Sequence, residues 1–393
     1  MKKQLLFIAI ASLVTSVASA TDLYVRNLGA GGAYSTVSAA IAAASDGDRI
    51  IIKPKTSGSG AYVENITINK SLTFVSETIY NRYFIQGTIN ITPQAGRIVT
   101  INGLSSGNFT IYNVVVNGAT TGGRTTVNLL NCYLNNVNAS QPNATLNISG
   151  CIVSGGIGFS HGKCTGNRAQ GIGAQSPSTD TSPATDDIEI IGNSTSFGIN
   201  ISQDSYNFKC YNNFIKWVNI YKIKTGGSNE FTNNTIYDPN GGDVAPIYIS
   251  LQPGNTGNIA IMNNAVSFTV FNTNFCIQNN NIATVTATYN VFTNTFLTEG
   301  TITQSNNTGA ANMSFDNTIF TVTGMNANAG NPALIYTDLD LTRNDAGHYG
   351  GSNSWENYWP ADGGGMPKVN YLVTPRAILN TNILNVTGSG YSN

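Results

Sequence analysis

Short runs of alternating apolar and polar residues, broken by one or two asparagines and then resumed, recur along most of this chain. They read Thr110-Ile111-Tyr112-Asn113-Val114-Val115, Leu129-Leu130-Asn131-Cys132-Tyr133-Leu134 and Phe208-Lys209-Cys210-Tyr211-Asn212-Asn213-Phe214-Ile215. They return as Phe231-Thr232-Asn233-Asn234-Thr235-Ile236, Ile261-Met262-Asn263-Asn264-Ala265-Val266, Ile277-Gln278-Asn279-Asn280-Asn281-Ile282 and Phe315-Asp316-Asn317-Thr318-Ile319. Alternation with period two is the pattern of a half-buried strand. The steps from Asn113 to Asn131, Asn213 to Asn234 and Asn264 to Asn280 are similar in length. The step from Asn234 to Asn264 is longer and fits one coil with a loop added. A drifting period near ~20 residues, built from strands and turns, predicts a stacked solenoid.

The physical reason is burial. One coil is too small to cover its own apolar residues, so coils stack. Parallel strands lie ~4.8 Å apart, so like residues fall above like. Asparagine tolerates the left-handed backbone of a tight corner, and stacked asparagines form amide ladders. About 11–13 coils are expected, a rod of roughly 55–60 Å. A charge at an inward position, as in Ile261→Asp, should then unfold neighbouring coils.

The two ends read differently. Residues 1–20 carry Lys2 and Lys3, an apolar run from Leu5 to Val14, and Ala18-Ser19-Ala20. That is the form of a cleavable secretory signal, and the run is too short to span a bilayer. Residues 21–75 are expected to form a cap and the first coils. Thr36 precedes Val37, Ala40, Ile41 and Ala44, a helical spacing with an N-cap residue in front. An amphipathic helix there would cover the open edge of the stack. Residues 76–330 read as coils, with a Gly/Ser/Thr/Pro-rich stretch from Ser160 to Asp187 read as a projecting loop or a poorly patterned coil. Residues 331–393 read as a closing segment and tail. No later segment is apolar enough to cross a membrane.

The run from Thr36 to Pro54, through Ala40-Ile41, Gly47-Asp48 and Ile50-Ile51-Ile52, strongly resembles the N-terminal cap of right-handed parallel β-helix proteins of the pectin-lyase-like class. Tyr62 and Glu64 match the end of the family's pattern, after an inserted Ser/Gly stretch, and Lys55 stands where the family usually has glycine. The segment from Asn331 to Gly351 resembles the closing segment of exported β-helix proteins common in Bacteroidetes. The implied fold is all-β: a right-handed parallel β-helix with an N-terminal amphipathic-helix cap. The resemblance also implies that a catalytic member would use a groove on the middle coils. Its lyases need a basic residue and commonly calcium, and its hydrolases use clustered aspartates.

Charge changes the functional picture more than the architectural one. Lys, Arg, Asp and Glu make up 10% of the chain, against ~25% in a typical domain. No Lys or Arg occurs between Lys224 and Arg343, and no Asp or Glu between Glu77 and Asp180. There is no basic stripe, so nucleic acid is not an expected partner. The titratable groups gather in the middle. There Asp186, Asp187 and Asp204 are candidate metal or acid–base carboxylates, and Lys163, Lys209 and Arg168 candidate bases. The competing reading is a solvated surface. Asp186 and Asp187 are sequence neighbours, which point to opposite faces of a strand. Asp338, Asp340 and Asp345 are candidate calcium ligands, because hard cations take carboxylate oxygens; the alternative is that they cap turns. His161 and His348 sit beside no nucleophile motif.

Tyr80, Tyr83, Trp217 and Tyr221 are candidate ligand-binding aromatics, since flat rings among Asn and Thr suit neutral sugar faces. Cys132, Cys151, Cys164, Cys210 and Cys276 read mainly as buried small thiols; an exported compartment permits a disulfide, but their odd number leaves one free. The sparse carboxylates favour a non-catalytic role. The expectation is a secreted or surface protein that is structural, adhesive or glycan-binding, located outside the cell, on its surface or in a periplasm. The alternative is a polysaccharide lyase or glycoside hydrolase. The partner expected is a polysaccharide or cell-surface glycan, and the sequence leaves the oligomeric state open.

Overall fold

Thirteen parallel strands, one per coil, stack from Asp22–Val25 to Ile302–Ser305 in a computed structural model of the protein. The structure describes residues 20–56, 60–78, 81–106, 113–117, 123–177, 180–181, 183–270, 274–358, 368–373 and 387–391. The signal-like segment lies outside them up to residue 19. This sheet is the first face of a three-sided parallel β-helix. The other two faces belong to a second sheet of twenty strands. On the second face, short strands pair coil to coil, as Phe214–Ile215 does with Thr235–Ile236. On the third, longer strands do the same, as Trp217–Lys222 does with Ile247–Ile249. Coil length varies widely. Leu146 pairs with Gly162 across a short coil, and Glu230 with Ala260 across one nearly twice as long. The extra residues go into loops, while the inward positions stay in register.

Asparagine sets the corner between the first and second faces, with two jobs for two neighbours. Asn212, Asn233 and Asn263 have φ of 54°, 56° and 58°, the left-handed turn that ends a first-face strand. In the coils before them the same place is taken by Gly166 and Gly192, at 61° and 67°. The next residue points inward. Asn167, Asn193, Asn213, Asn234, Asn264, Asn290 and Asn307 form a ladder in which each Nδ2 donates to the Oδ1 above, at 2.8–3.1 Å. Each Oδ1 above also accepts a backbone N–H, as Asn234 does from Asn213 N at 3.0 Å. Buried amides are thereby satisfied coil after coil.

Three expected repeats fall elsewhere. Asn113 starts a third-face strand and pairs with Asn136. Asn280 is also outside the ladder, whose member in that coil is Asn290. Asn317 sits in the turn of an antiparallel hairpin, Met313–Asp316 with Thr321–Gly324, beyond the last coil. The five cysteines are free and buried. Cys132 and Cys151 occupy the ladder position of their own coils, and Cys151 Sγ accepts from Cys132 N at 3.3 Å.

The cap matches its reading. Helix α1 spans Val37–Ala43, with the Thr36 side chain accepting from Ala39 N, and buries Val37, Ala40 and Ile41 against the first coils. Its two ends are tied to the next coil. Glu64 accepts from Val37 N at 2.8 Å and Ser38 N at 2.9 Å, and Lys70 Nζ donates to the carbonyls of Ile41 and Ala42, both at 2.9 Å. Both contacts suit the helix dipole. No helix among the described residues is long and apolar enough to cross a membrane.

The stretch Ser160 to Asp187 holds two strands of a complete coil, Gly162–Thr165 and Arg168–Gln175; only the residues after them leave the stack. That loop is pinned back by Asp180, which binds Arg124 and the Tyr206 hydroxyl and accepts from Asn143 N at 2.9 Å.

After the hairpin the chain runs back along the asparagine corner as a strap. Asn331 N donates to Asn263 Oδ1 at 2.8 Å. Asn233 Nδ2 donates to Asn344 Oδ1 at 3.0 Å and Asp345 O at 2.9 Å, and Asn212 Nδ2 to His348 O at 3.0 Å. Farther on, Tyr358 lies against Gly192 and Gly166. A Cβ on Gly192 would stand 2.8 Å from Tyr358 Cβ, so glycine replaces asparagine at that corner for space as well as for its positive φ.

Candidate functional site

A groove of about 560 Å³ lies on the third face, across the strands of the middle coils. Its floor is built by a short pattern that recurs in successive coils. Gly156-Ile157-Gly158 pairs with Gly171-Ile172-Gly173, and Ile172-Gly173 pairs with Ile199-Asn200. The isoleucines are buried in the core. Strand alternation then turns the glycines outward, where they leave the backbone bare. Asn136 and Asn138 border the groove on one side, and Phe197, Asn200 and Trp217 on the other; Gln170 and Gln175 also line it.

The glycines have distinct reasons to be glycine. At Gly198 a Cβ would lie 2.4 Å from the Trp217 ring, so this glycine lets the indole rest on the backbone. At Gly156, Gly171 and Gly173 the nearest atoms would be 3.8, 3.4 and 3.7 Å away, and none has a left-handed φ. Neither backbone nor packing requires glycine at these three, yet glycine in a strand weakens it. What their lack of side chains produces is the groove itself. Phe197 is 50% exposed beside it. Among the described lining residues none is titratable: the walls are amide, hydroxyl, backbone and aromatic ring. That chemistry can hydrogen-bond hydroxyl groups and stack on an apolar ring face, and supplies no acid or base.

Trp217 is therefore the one aromatic candidate that lines the groove. Tyr221 lies farther along the same strand, 37% exposed, and meets Tyr248 edge to face at 6.3 Å. Tyr83 is a correction: it is fully buried, its hydroxyl without a partner among the described residues, and burial pushes its phenol far up. It is a core residue. Tyr80 lies outside the described residues.

The charged candidates divide into separate pairs. Lys163, Glu189, Lys209 and Glu230 fall in one register row on the first face, alternating in sign. Lys163 Nζ is 2.9 Å from Glu189, and Lys209 Nζ 3.2 Å from Asp187. Tyr211 donates to Glu230, which together with burial drives its phenol up. Asp186 faces the buried His161 at 3.4 Å, and burial lowers that imidazole's affinity for a proton. Asp204 lies apart, 3.6 Å from Lys222. Arg168 is on the second face, over Phe320. The candidate carboxylates Asp186, Asp187 and Asp204 thus lie beside different partners, His161, Lys209 and Lys222.

Asp338, Asp340 and Asp345 serve the backbone. Asp338 accepts from Gly351 N at 2.6 Å and Asp345 N at 2.9 Å; burial raises its carboxyl to about 6. Asp340 accepts from Thr342 N at 3.0 Å, and Asp345 from Asn328 N at 2.6 Å. Among the described residues no three His, Cys, Asp or Glu side chains are grouped to hold a metal ion.

No family model, no curated protein and no solved structure matches the chain.

Sequence reasoning missed the groove because Gly171 and Gly173 fall in the stretch read as a projecting loop or a poorly patterned coil, and Gly156 and Gly158 just before it were given no role. The signal was present as Gly-Ile-Gly twice, at Gly156 to Gly158 and again at Gly171 to Gly173. An apolar residue turned inward with glycine on both sides has a strand's period, not a turn's.

Proposed function

We propose that this protein is an exported, non-catalytic β-helix that binds a glycan in the glycine-floored groove of its third face. The observation that carries this reading is the set of three glycines, Gly156, Gly171 and Gly173, that neither conformation nor packing demands. Their bareness opens a trough beside Trp217 and Phe197 and among Asn and Gln amides, the group types that hold sugar hydroxyls and ring faces. The resemblance of the cap and closing segments to exported pectin-lyase-like β-helices of Bacteroidetes supports export and a polysaccharide context. The signal-like N-terminal segment supports the same location.

The test fills the groove without touching the core. Gly171→Leu adds a side chain where a Cβ makes ordinary contact. It should lower binding to the recognised polysaccharide by roughly tenfold or more in affinity electrophoresis, with an unchanged melting curve. Trp217→Ala should do the same. Charge reversal at Asp204 or Lys209 should leave binding intact. Loss of binding only on charge reversal, or release of reducing or unsaturated ends from the polysaccharide, would move the function to the charged row and restore the lyase or hydrolase alternative.

A further inference from the structure

A second cavity, of about 380 Å³, lies on the second face beneath the C-terminal hairpin. Its floor is a register row in which Arg168 pairs with Ser194 and Ser194 with Phe214. Gln170, Ser196 and Lys216 line its edge toward the third face, and Tyr237, Asn317 and Phe320 close it from the side of the hairpin. Its chemistry differs from that of the groove. The Arg168 guanidinium makes no hydrogen bond or ion pair among the described residues; it only approaches the Phe320 ring, 5.9 Å from its centroid. Lys216 has a single carboxylate near it, Asp238, at a loose 3.8 Å. Ser194 is only 4% exposed, whereas Ser196 and Gln170 are exposed at the rim. Two cations, the exposed Arg168 and the half-buried Lys216, thus line one cavity together with three neutral polar groups. Phe214, Tyr237 and Phe320 add aromatic walls. Gln170 lines this cavity and the groove alike.

We propose that this cavity receives one anionic sugar residue, carboxylated or sulfated, of the glycan that lies in the groove. A planar carboxylate or a sulfate ester takes the Arg168 fork and the Lys216 ammonium. The Ser194 and Ser196 hydroxyls and the Gln170 amide complete its hydrogen bonds. The sugar's apolar face meets the aromatic wall. This inference rests on the glycan reading of the groove for the rest of the chain it anchors, and not for the anion site itself.

The experiment uses one glucan backbone in three forms: underivatised, carboxymethylated and sulfated oligosaccharides. Binding is measured by calorimetry on the mature chain at low salt. Wild type should bind at least one anionic form roughly tenfold more tightly than the neutral parent. Arg168→Gln with Lys216→Gln should erase that preference and leave neutral binding unchanged; preference for only one form would name the anion. Equal affinity for all three forms, or a preference that survives the double variant, overturns the proposal and leaves the groove reading standing. Should none of the oligosaccharides bind, the arm that decides is titration of glucuronate and glucose 6-sulfate, followed by NMR. Shifts present in wild type and absent in the double variant would uphold the cavity and sink the groove, and no shifts would overturn both. A thermal melt of the double variant checks the fold.

Discussion

Adjacent asparagines at the corner divide two tasks that a single residue type can perform. The left-handed one, such as Asn233, faces outward and donates to the strap; the next, such as Asn234, faces inward and carries the ladder. Substitutions should separate them. Asn264→Ala removes the acceptor of Asn234 N and Nδ2 and the donor to Phe231 O and Asn290 Oδ1. Stranding those buried groups should cost about 3 kcal/mol in chemical denaturation. Asn233→Gly keeps the positive φ that glycine accepts and loses the strap bonds and the long bond that Asn263 Nδ2 donates to Asn233 Oδ1 at 3.4 Å. It should change denaturation by under about 1 kcal/mol while hydrogen exchange of residues 330–358 quickens. The ladder was legible in the sequence at the Asn-Asn pairs that end in Asn213, Asn234 and Asn264, but not at Asn167, Asn193 and Asn290, which follow Gly or Tyr, nor at Asn307. The division of labour was not, because it depends on which asparagine has the positive φ. The register of the late coils was also misread at Asn280, since Tyr289 and not asparagine turns the corner before Asn290.

Among the elements, the strap depends on one neutral imidazole. His348 is fully buried, with Nε2 facing Phe320 O at 2.8 Å and Nδ1 facing Thr235 Oγ1 at 2.7 Å. Phe320 O can only accept, so Nε2 carries the proton and Nδ1 accepts from the hydroxyl. Phe214 and Trp355 pack edge-on to the ring, and burial lowers its pKa from 6.5 to about 3. Below pH 6.5 the undocked strap binds a proton that the docked strap refuses. The His348 contribution to docking is therefore complete near neutrality and falls as pH drops toward 3, while the raised carboxyl of Asp338 works in the opposite direction as pH rises through about 6. Between about pH 7 and about pH 4.5, hydrogen exchange of residues 344–358 should quicken more in the wild type than in His348→Gln, after correction for intrinsic rates. His348→Gln should weaken docking at neutral pH and flatten that dependence. The cap helix was legible because its apolar spacing and N-cap are local. The strap was not: its partners lie in coils far back along the chain, and its sequence has no strand or helix period.

The whole molecule is a stack whose thirteen strands span about 58 Å at ~4.8 Å each. Its core is continuous but its contacts are mainly between neighbouring coils, so damage should spread locally. Ile261 is fully buried between Phe231 and Ala287. Ile261→Asp should destabilise by more than about 4 kcal/mol. Protection from exchange should disappear first around those two partners, with the cap coils retaining theirs. An unchanged melting curve would contradict the inward placement.

The strap adds one connection that is not between neighbours. It binds at the corners of Asn263, Asn233 and Asn212 and through Tyr358 reaches Gly192 and Gly166, so the chain after the last coil is fastened to coils well inside the stack. A pull on the C-terminal end would therefore load the middle of the rod before its last coil. For a rod held by its tail and gripping a polymer on its flank, the force would enter close to the coils that form the groove, and the final coils would stay slack until the strap gave way.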